Sequence, residues 1–443
     1  MPRYVIDEAA LVRNLEILKD VSERAGVRIL LAQKAFSCTA VYPLCAKYLA
    51  GTTASSLFEA KHGHDNFGGE THVFAPAFIP EEMDELLGLV DHIVFNSPRQ
   101  VALYGEMARK RGVSVGLRVN PEVSVATTPA YDPCRPSSRL GTTRAELEAS
   151  GLCFAAKNAK SAKVDGLHFH CLCEQGLDEL KKVLAGFEER FGEFLPQMKW
   201  VNFGGGHHIT REGYDVEGLV ALLNDFKARH PNLVVYLEPG EAIALNAGTL
   251  ESRVLEIQPK GADGISNAIL DTSAACHMPD VIEMPYTPPV VGATIYRSHP
   301  SSDRLRGSLR SGDTFPIPHS PFPPRIEPPS ALASLGGYVP HSPFPVPHSP
   351  FPVPHSPFPV PHSPFIYRFG GPTCLAGDEI GVYSFKHELH EGDIVVFGDM
   401  AIYTMVKNNT FNGVNLPDIV VRHVDGNEEL VRKFGYDDFA CRL

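Results

Sequence analysis

The sequence predicts an α/β fold, a TIM-like (β/α)8 barrel followed by a C-terminal β-rich domain. Short apolar runs typical of strands alternate with helical patterns from about residue 21 to residue 256. Such alternation implies a mostly parallel sheet with helices packed against it. Six or more strand–helix units in a segment of this length suit a closed barrel, and a doubly wound sheet is the alternative.

Each strand of the predicted barrel is a short apolar run that ends near turn-forming or polar residues. In chain order the runs are VRILLAQKA, HVFAPA, HIVFNS, VSVGLRVN, VDGLHFHC, WVNFGGG and LVVYLEPGEAI. The segments between them have helical patterns: TAVYPLCAKYLA, PEEMDELLGLV, PRQVALYGEMARKRG, LDELKKVLAGFEERFG and VEGLVALLNDFKARH. In such barrels the reactive side chains lie at the carboxyl ends of the strands, so a site is expected there.

The pattern changes after about residue 252. The segments VLEIQPKG, NAILDTSA, DIVVFGDMAIYTM and LPDIVVRHV are short strands separated by Gly and Asp turns, which indicates a β-rich domain. We therefore predict a barrel domain at 15–255 and a β-rich domain built from 1–14 and 256–443.

A low-complexity insertion rich in Pro, Ser and His occupies residues 299–365 of the predicted β-rich domain. The motif PHSPF begins at Pro318, Pro340, Pro347, Pro354 and Pro361, and the last four copies have a period of seven. Dense proline removes amide donors and favours polyproline II, so we expect an insertion outside the core. Its histidines could bind a metal and its prolines a partner protein, but solvated low-complexity sequence is the favoured interpretation, and no metal site is assigned.

Composition and charge exclude several classes of function. The 443 residues carry 40 basic and 52 acidic side chains, a formal net charge of −12, which argues against binding to nucleic acid or to anionic membranes. The nine cysteines are odd in number and scattered, as expected of reduced thiols in the cytoplasm. The N-terminus lacks the apolar segment of a signal peptide, and no apolar run is long enough for a membrane span.

Lys34 lies within an apolar run, LLAQKAFS, on the first predicted barrel strand. A lysine that attacks a carbonyl group must be deprotonated part of the time, and burial lowers the pKa of an ammonium group by removing its solvation. The run therefore indicates either a Schiff-base lysine in a pocket or an amphipathic edge strand with its amine in solvent.

The segment GLHFHCLCE places two histidines and two cysteines, His168, His170, Cys171 and Cys173, near a strand end. Histidine and cysteine at this density could ligate zinc, but no CxxC pair or HExxH helix supports such a site. The alternative is that one histidine lies flat on an aromatic cofactor while the others are structural. A satisfied core histidine is the favoured interpretation of His168.

Two further strand ends carry motifs suited to a phosphate and to a cation. In NFGGGHHIT, Gly204, Gly205 and Gly206 follow an apolar strand, and consecutive glycines let backbone N–H groups converge on a phosphate. A plain tight turn explains these glycines equally well. In LEPGEAI, Glu238 ends the strand LVVYL, and its carboxylate is either a partner for a cationic ring nitrogen or a surface charge.

The β-rich domain contributes two candidate segments. GGPTCLAGD holds Cys374 and Asp378 in a loop defined by Gly and Pro, and rigid loops of this kind often place side chains at sites. For Cys374 the alternative is an inert buried thiol. GDMAIYTM places Tyr403 after a second turn of small residues.

In this order, the lysine strand, HFHC, GGG, EPG, GPTC and the tyrosine resemble the fold-type III pyridoxal phosphate decarboxylases. That family includes ornithine, arginine and diaminopimelate decarboxylases and is related to alanine racemase. Within it the chain is similar to the carboxynorspermidine/carboxyspermidine decarboxylases, on the segments LAQKAFS, GLHFHCLCE, VNFGGGHHIT, LEPGEA, ILDTSAACHMPDVIEMPY and YRFGGPTCLAGD. The resemblance covers the chain except for the insertion.

The resemblance implies a role for each motif. Lys34 would form the Schiff base with pyridoxal 5′-phosphate, His170 would stack on its ring, and Glu238 would pair with the protonated ring nitrogen. The other implied site residues are Gly204, Gly205, Gly206 and Tyr403 at the phosphate, Arg139 near the phenolic oxygen, Cys374 and Asp378 from a neighbouring subunit, and Asp271 and Glu283 at the substrate's amines.

The resemblance also implies a reaction and an assembly. A homodimer with shared sites would release CO2 from carboxynorspermidine or carboxyspermidine, and Cys374 or the freed Lys34 would return a proton to the α-carbon. Glu241 and Leu375 depart from the ornithine-type pattern, which has an arginine and an aspartate there, and so favour the carboxynorspermidine branch. The alternatives are a diaminopimelate or other basic amino acid decarboxylase or racemase, and a non-catalytic pyridoxal phosphate- or polyamine-binding protein.

Overall fold

The structure is a computed structural model that describes residues 2–126, 128–152, 164–284, 286–296 and 365–443. The insertion predicted at 299–365 lies outside these residues except for Phe365 at its end. The described barrel and β-rich domain belong to one compact unit.

The chain begins in the β-rich domain and then enters the barrel. Strand β1 (Arg3–Asp7) leads into helix α1 (Glu8–Ala25), and the Asp7 carboxylate caps this helix by accepting a hydrogen bond from the amide of Ala10. Gly26 ends α1 with a φ of 59°, a left-handed conformation that glycine adopts without a steric penalty. Because β1 pairs with two strands of the C-terminal sheet, the start of the chain ties the two domains together.

Eight parallel strands close into a barrel. They are β2 (Arg28–Ala32), β3 (Gly51–Ala54), β4 (Glu70–Phe74), β5 (His92–Phe95), β6 (Ser114–Arg118), β7 (Gly166–His168), β8 (Trp200–Asn202) and β9 (Val234–Leu237). Strand β9 returns to β2, where Tyr236 pairs with Arg28 and closes the circle. The (β/α)8 prediction is therefore confirmed, and the doubly wound alternative is wrong.

Helices follow most of the barrel strands. They are α2 (Tyr42–Cys45), α3 (Leu57–Asn66), α4 (Met83–Leu86), α5 (Pro98–Lys110), α6 (Arg144–Ser150), α7 (Leu177–Phe191), α8 (Val216–Arg229) and α9 (Glu241–Ala244). Four of them begin at a side-chain cap, which satisfies an amide that the helix leaves without a partner: Ser56, Ser97, Thr143 and Asp215. Their apolar faces pack on the strands and form the main core.

The inside of the barrel below the strand ends is filled by a small apolar layer, Leu30, Val94, Trp200 and Tyr236. The indole of Trp200 occupies the space that two glycines leave on neighbouring strands. A Cβ atom at Gly166 would lie 2.0 Å from the Trp200 ring, and one at Gly116 would lie 2.4 Å from it. Small residues on β6 and β7 therefore make room for the largest side chain of the layer.

Three side chains with metal-binding atoms lie at the opposite end of the barrel. Donor atoms of Glu70, His72 and His92 fall within 4.8 Å of one another. The two imidazole rings are nearly parallel, 7° apart with centroids separated by 4.0 Å, so their in-plane lone pairs do not converge on one point. Glu70 is also paired with the Arg28 guanidinium. We therefore interpret the three side chains as a stacked and ion-paired layer of the barrel interior.

A nine-stranded sheet forms the β-rich domain. Its strands after β1 are β10 (Gly248–Gln258), β11 (Ser266–Leu270), β12 (Ala293–Ile295), β13 (Phe365–Gly370), β14 (Glu379–Phe385), β15 (Ile394–Gly398), β16 (Asp418–Arg422) and β17 (Glu428–Arg432). The order is β12-β14-β13-β11-β10-β1-β16-β17, and β15 pairs with β10. Three short helices, α10 (Ala274–His277), α11 (Asp280–Glu283) and α12 (Tyr436–Ala440), accompany it. The predicted β-rich domain is confirmed.

The predicted limits of the barrel domain, residues 15 and 255, fall inside α1 and β10, and they stay a prediction. Eight cysteines in the described ranges are unpaired thiols. None of the helices in the described part of the chain combines the length and the apolar character needed to cross a lipid bilayer.

Candidate active site

The carboxyl ends of the barrel strands surround a cavity of about 230 Å³, and a second cavity of about 170 Å³ adjoins it. Lys34, His170 and Glu238 line both cavities, and Gly206 and Tyr403 line the larger one. Side chains that five separate motifs predicted therefore meet at one place, which is the place where a (β/α)8 barrel carries its reactive groups.

Lys34 follows the last residue of β2 by two positions, and its side chain stands in the cavity. The side chain is accessible, but the space around it is walled by strand ends and loops of the barrel. Desolvation lowers the pKa of the Lys34 amine, and the charge of Arg118 acts in the same direction, against the attraction of Glu238. This placement fits the pocket lysine and not the amphipathic edge strand.

Glu238 follows β9, and both oxygens of its carboxylate have a hydrogen-bond partner. His168 Nε2 lies 3.1 Å from Oε2, and the amide of Asn202 donates to Oε1 at 2.8 Å. Burial raises the pKa of Glu238, but the charges of His168 and His72 and the hydrogen bonds from His168 and Asn202 outweigh burial and lower the pKa to about 2. Glu238 is therefore ionised at neutral pH although its side chain is only 10% exposed.

Burial also lowers the pKa of His168, so its imidazole is neutral at neutral pH. A neutral ring stabilises the carboxylate by donating a hydrogen bond through Nε2, and a protonated ring adds its charge as the pH falls. His168 was expected to be a satisfied core histidine. It is buried, as expected, but its partner is the site carboxylate.

His170 projects from the segment that follows β7 into both cavities. Its Nδ1 accepts a hydrogen bond from the amide of Gly205 at 3.0 Å, which fixes the orientation of the ring. Burial holds the pKa of His170 well below its usual value, and the charge of Lys34 acts in the same direction. The site therefore offers a neutral imidazole, oriented by the backbone, beside the Lys34 amine.

The three glycines do not offer three free amides. Gly204 N donates to Asn202 Oδ1 at 2.8 Å, and Gly205 N donates to His170, so these two N–H groups support side chains of the site. Among the described residues, no acceptor is recorded for the amides of Gly206 and His207. Gly206 has a φ of 89°, and a Cβ atom there would lie 2.0 Å from the carbonyl oxygen of Leu172, so only glycine fits.

Arg118 is a cavity residue that the motifs did not single out. It ends β6, is 4% exposed, and lines both cavities; its guanidinium donates to the His170 carbonyl oxygen at 2.9 Å. The predicted arginine, Arg139, does not line either of the cavities formed by the described residues; its neighbour Leu140 does. The signal for Arg118 was its position at the carboxyl end of the strand VSVGLRVN.

Tyr403 and Glu241 line the larger cavity. Tyr403 has a φ of 53°, an uncommon conformation for a residue with a side chain, and its amide donates to the Ala35 carbonyl oxygen at 2.7 Å. Tyr403 is therefore fastened to the residue next to Lys34. Glu241 lies 2.9 Å from Nε2 of His208, another residue of the cavity wall.

The loop that carries Cys374 is held by Asp378, which is 4% exposed. The Asp378 carboxylate accepts hydrogen bonds from the hydroxyl of Ser273 at 2.9 Å, the amide of Ala275 at 3.2 Å and the hydroxyl of Thr373 at 2.6 Å. All these contacts lie within one chain, so Asp378 supports its own loop here. Cys374 itself is exposed and lies outside the cavities that the described residues form, and its amide donates to Asn412 Oδ1 at 2.8 Å.

Two predicted substrate ligands lie outside the cavity lining of the described residues. Asp271 follows β11 and accepts hydrogen bonds from the amide of Arg253 at 2.8 Å and from the hydroxyl of Ser252 at 3.1 Å. Glu283 accepts a hydrogen bond from Nζ of Lys407 at 2.9 Å. The Glu283 carbonyl oxygen accepts from the hydroxyl of Tyr131, a residue of the cavity wall, so Glu283 lies at its edge.

The sequence is similar to those of known proteins over nearly their full length. The chain is 37% identical to carboxynorspermidine/carboxyspermidine decarboxylase of Campylobacter jejuni over 445 residues, 100% of this chain and 98% of the relative. It is 34% identical over 443 residues to the enzyme of that name from Herminiimonas arsenicoxydans, covering 100% and 99%. This chain belongs to the carboxynorspermidine/carboxyspermidine decarboxylase family. It is therefore an enzyme, a carboxy-lyase. No family model matches the sequence.

One further relative and two solved structures match the chain. The chain is 36% identical over 442 residues to carboxyaminopropylagmatine decarboxylase of Synechocystis, covering 100% of this chain and 95% of the relative. The crystal structure of carboxynorspermidine decarboxylase complexed with norspermidine from Campylobacter jejuni matches with a TM-score of 0.78 at 36% identity, over 100% of both chains. Diaminopimelate decarboxylase from Helicobacter pylori matches with a TM-score of 0.71 at 14% identity, covering 100% and 96%, and shows the fold alone.

Proposed function

We propose that this enzyme uses pyridoxal 5′-phosphate to decarboxylate carboxynorspermidine and carboxyspermidine, yielding norspermidine and spermidine. The observation that carries the proposal is that Lys34, His170 and Glu238 face one cavity in a chain related over its full length to enzymes of that name. The acidic composition and the scattered cysteines, which we interpret as reduced thiols, suit an enzyme of the cytoplasm.

The residues present fit the cofactor. Lys34 supplies a desolvated amine for its aldehyde, and Glu238 supplies an ionised carboxylate for its ring nitrogen. Gly206 and His207 supply two amides for its phosphate, since neither has an acceptor within the described ranges. Bound there, the cofactor supplies an aldehyde for the substrate's amine and a ring that takes up the electron pair left when CO2 departs. We assign Tyr403 to the cofactor phosphate, because it lines the same cavity as Gly206.

The chain's own groups hold and move the protons. Glu238 stays ionised, so it would favour a proton on the cofactor's ring nitrogen. The neutral ring of His170 lines the cavity that the cofactor ring would occupy. Once the substrate's amine has replaced it, the Lys34 amine can accept the proton that the substrate's ammonium group loses, and the resulting ammonium can donate this proton to the carbon that loses CO2. Arg118 provides a fixed positive charge near Lys34 and Glu238.

Acidic side chains around the cavity support a polycationic substrate. Burial raises the pKa of Glu174, and the negative charges of Glu241, Asp280 and Asp399 raise it further. The repulsion that raises the pKa of Glu174 is relieved when ammonium groups lie near these carboxylates. A carboxylated polyamine brings several such groups. We keep Asp271 and Glu283 as proposed substrate ligands, with Glu283 favoured by its place at the cavity edge.

We propose that the enzyme is a homodimer in which Cys374 completes the site of the second subunit. Cys374 lies on a loop that Asp378 and Asn412 hold in place, yet its thiol is exposed. A residue that enters the cavity of a partner subunit must lie on an ordered loop and be exposed in its own subunit, and Cys374 meets both requirements. Arg139 remains a proposed neighbour of the cofactor, with Arg118 the better placed of the two arginines.

Product analysis tests the proposal. The purified holoenzyme is given carboxynorspermidine, carboxyspermidine, carboxyaminopropylagmatine, ornithine and diaminopimelate in parallel, and CO2 and the amine product are measured. We expect turnover of the first two and at least a tenfold lower kcat/KM for ornithine and diaminopimelate. The third substrate is included because of the Synechocystis relative. Preference for diaminopimelate, or no release of CO2 from any of them, would refute the proposed function.

A further inference from the structure

Three neighbouring barrel strands place His168, Asn202 and Glu238 side by side. His168 is the last residue of β7 and pairs with Asn202, the last residue of β8. Asn202 pairs in turn with Tyr236 of β9, two residues before Glu238. The contact between these side chains therefore follows from the register of β7, β8 and β9 and from the position of Glu238 directly after the last residue of β9.

The hydrogen bonds are those of a carboxylate held from two sides. Asn202 donates to Oε1 of Glu238, and its own Oδ1 accepts from Gly204 N, which fixes the orientation of the Asn202 amide. Because an ionised carboxylate only accepts, His168 Nε2 must carry the proton in the contact with Oε2. Among the described residues, the other ring nitrogen of His168 is buried without a hydrogen-bond partner, so this contact is the polar contact that orients the ring.

The imidazole has no room to turn away. His168 is 2% exposed, and its ring packs on Phe74, 5.6 Å between centroids at an angle of 29°. The guanidinium of Arg118 lies over Phe74 at 4.5 Å. His168 therefore belongs to a packed layer directly beneath the cavity, which it also lines. With Asn202 alone, the carboxylate would keep one donor and could rotate about its Cγ–Cδ bond.

We infer that His168 is a positioning residue of the decarboxylation reaction, which fixes the orientation of the Glu238 carboxylate toward the cofactor's ring nitrogen and favours its ionised form. This inference rests on the proposed function. Its chemical requirement is narrow, because the side chain at this position must donate a hydrogen bond at the place of the imidazole Nε2. Side chains that fill the volume of His168 without donating a hydrogen bond should not support the reaction.

Four variants of the full chain test this inference: His168→Leu, His168→Phe, His168→Gln and, as control, His92→Leu. The first two fill space without donating, whereas the glutamine amide can place a donor close to the position of Nε2. His92 is another histidine inside the barrel, outside the site, and reports the general cost of replacing one there. For each variant we would measure kcat, KM, the dissociation constant of pyridoxal phosphate and the absorption spectrum of the bound cofactor.

We expect His168→Leu and His168→Phe to lower kcat about 30- to 100-fold, the loss typical of misplaced catalytic groups, with KM and cofactor affinity within threefold of wild type. The absorption spectrum of their bound cofactor should shift, because the Glu238 carboxylate beside the ring nitrogen would no longer be held in one orientation. His168→Gln should recover at least tenfold of the loss in kcat, and His92→Leu should stay within threefold of wild type.

Other results would overturn the inference. It fails if the leucine or phenylalanine variant keeps kcat within threefold of wild type, or if glutamine is no better than they are. It also fails if the two apolar variants do not fold while glutamine folds, since His168 would then be needed for packing. An inactive wild-type enzyme would instead refute the proposed function, so the two failures are distinguishable.

Discussion

The site pairs an amine that its surroundings make easier to deprotonate with a carboxylate that its neighbours keep charged. Lys34 and Glu238 lie in the same cavity, yet their protonation is shifted in the directions that covalent catalysis with a basic ring requires. Burial and then the charge of Arg118 lower the pKa of the amine, and His168 with Asn202 lowers the pKa of the carboxylate. The chemistry of the two groups therefore depends on neighbours drawn from β6, β7 and β8.

Replacing Glu238 by glutamine should change how stability depends on pH. The pKa of Glu238 is lowered from 4.5 to about 2 in the folded chain, so its ionisation stabilises the fold above about pH 4.5, and this contribution is lost as the pH falls toward 2. We expect the difference in urea midpoint between wild type and Glu238→Gln to be largest at pH 7 and to shrink below about pH 4.5. A difference that grows on acidification would contradict this assignment.

Sequence reasoning found the residues of the site that lie in recognisable motifs. Strand-end chemistry made Lys34, the histidines of HFHC and Glu238 candidates, the resemblance to known decarboxylases singled out His170, and Lys34, His170 and Glu238 lie together in one cavity. Arg118 was missed because a strand end gives no sign of which arginine turns inward; the structure places it in the cavity and leaves Arg139 outside the lining. The amides of Gly204 and Gly205 donate hydrogen bonds to the side chains of Asn202 and His170, and local sequence does not reveal these contacts.

At the level of elements, the barrel depends on small residues where strands approach a large side chain. Trp200 of β8 fills the space over Gly116 of β6 and Gly166 of β7, and its Nε1 donates to the hydroxyl of Ser114 at 2.9 Å. This layer supports the strand ends that carry the site from below. Sequence alone gave the strands but not this packing, since neither glycine lies near Trp200 along the chain.

The substitution Gly166→Ala should destabilise the barrel. Its Cβ atom would meet the Trp200 ring at 2.0 Å, and overpacking of this kind costs roughly 1–3 kcal/mol. Gly377→Ala is the matched control, because nothing lies within 4 Å of a Cβ atom there. We expect urea unfolding to show a lower midpoint for Gly166→Ala and an unchanged one for Gly377→Ala. Equal midpoints would show that Trp200 has room to move.

The loop between β13 and β14 should depend on the charge of Asp378. The Asp378 carboxylate only accepts hydrogen bonds, so in Asp378→Asn the side-chain NH2 group would face other donors, which should cost about 1–3 kcal/mol. If this loop delivers Cys374, kcat should also fall at least tenfold while the affinity for the cofactor stays within threefold. Unfolding experiments and cofactor titration measure the two effects. Unchanged kcat with lowered stability would remove Asp378 from the site.

At the scale of the whole molecule, the order of the strands was predictable and the meeting of distant segments was only partly so. Alternating apolar runs predicted the closed barrel, but β1 joins the C-terminal sheet between β10 and β16, a pairing over more than two hundred residues. The resemblance to known decarboxylases supplied what physical reasoning from the residues left open, namely that the motifs of both domains serve one reaction.

A shared site predicts that two inactive variants restore each other. Lys34→Ala lacks the amine and Cys374→Ala lacks the thiol, so each homodimer should be impaired at both sites. In mixed dimers one site has both residues intact, and random exchange places half of the subunit pairs in mixed dimers. We expect mixing to restore about a quarter of the wild-type activity, measured as CO2 release. No recovery, with exchange confirmed by mass spectrometry, would contradict the shared site.

The central claim is that Lys34 binds the cofactor covalently, and borohydride trapping tests it most directly. The holoenzyme is reduced with borohydride, digested, and its peptides are identified by mass spectrometry, with Lys47 as an internal control lysine outside the cavity. We predict that the pyridoxyl group is found on Lys34, and that Lys34→Ala folds but is neither labelled nor active. A label on another lysine, or full decarboxylation by Lys34→Ala, would contradict the account.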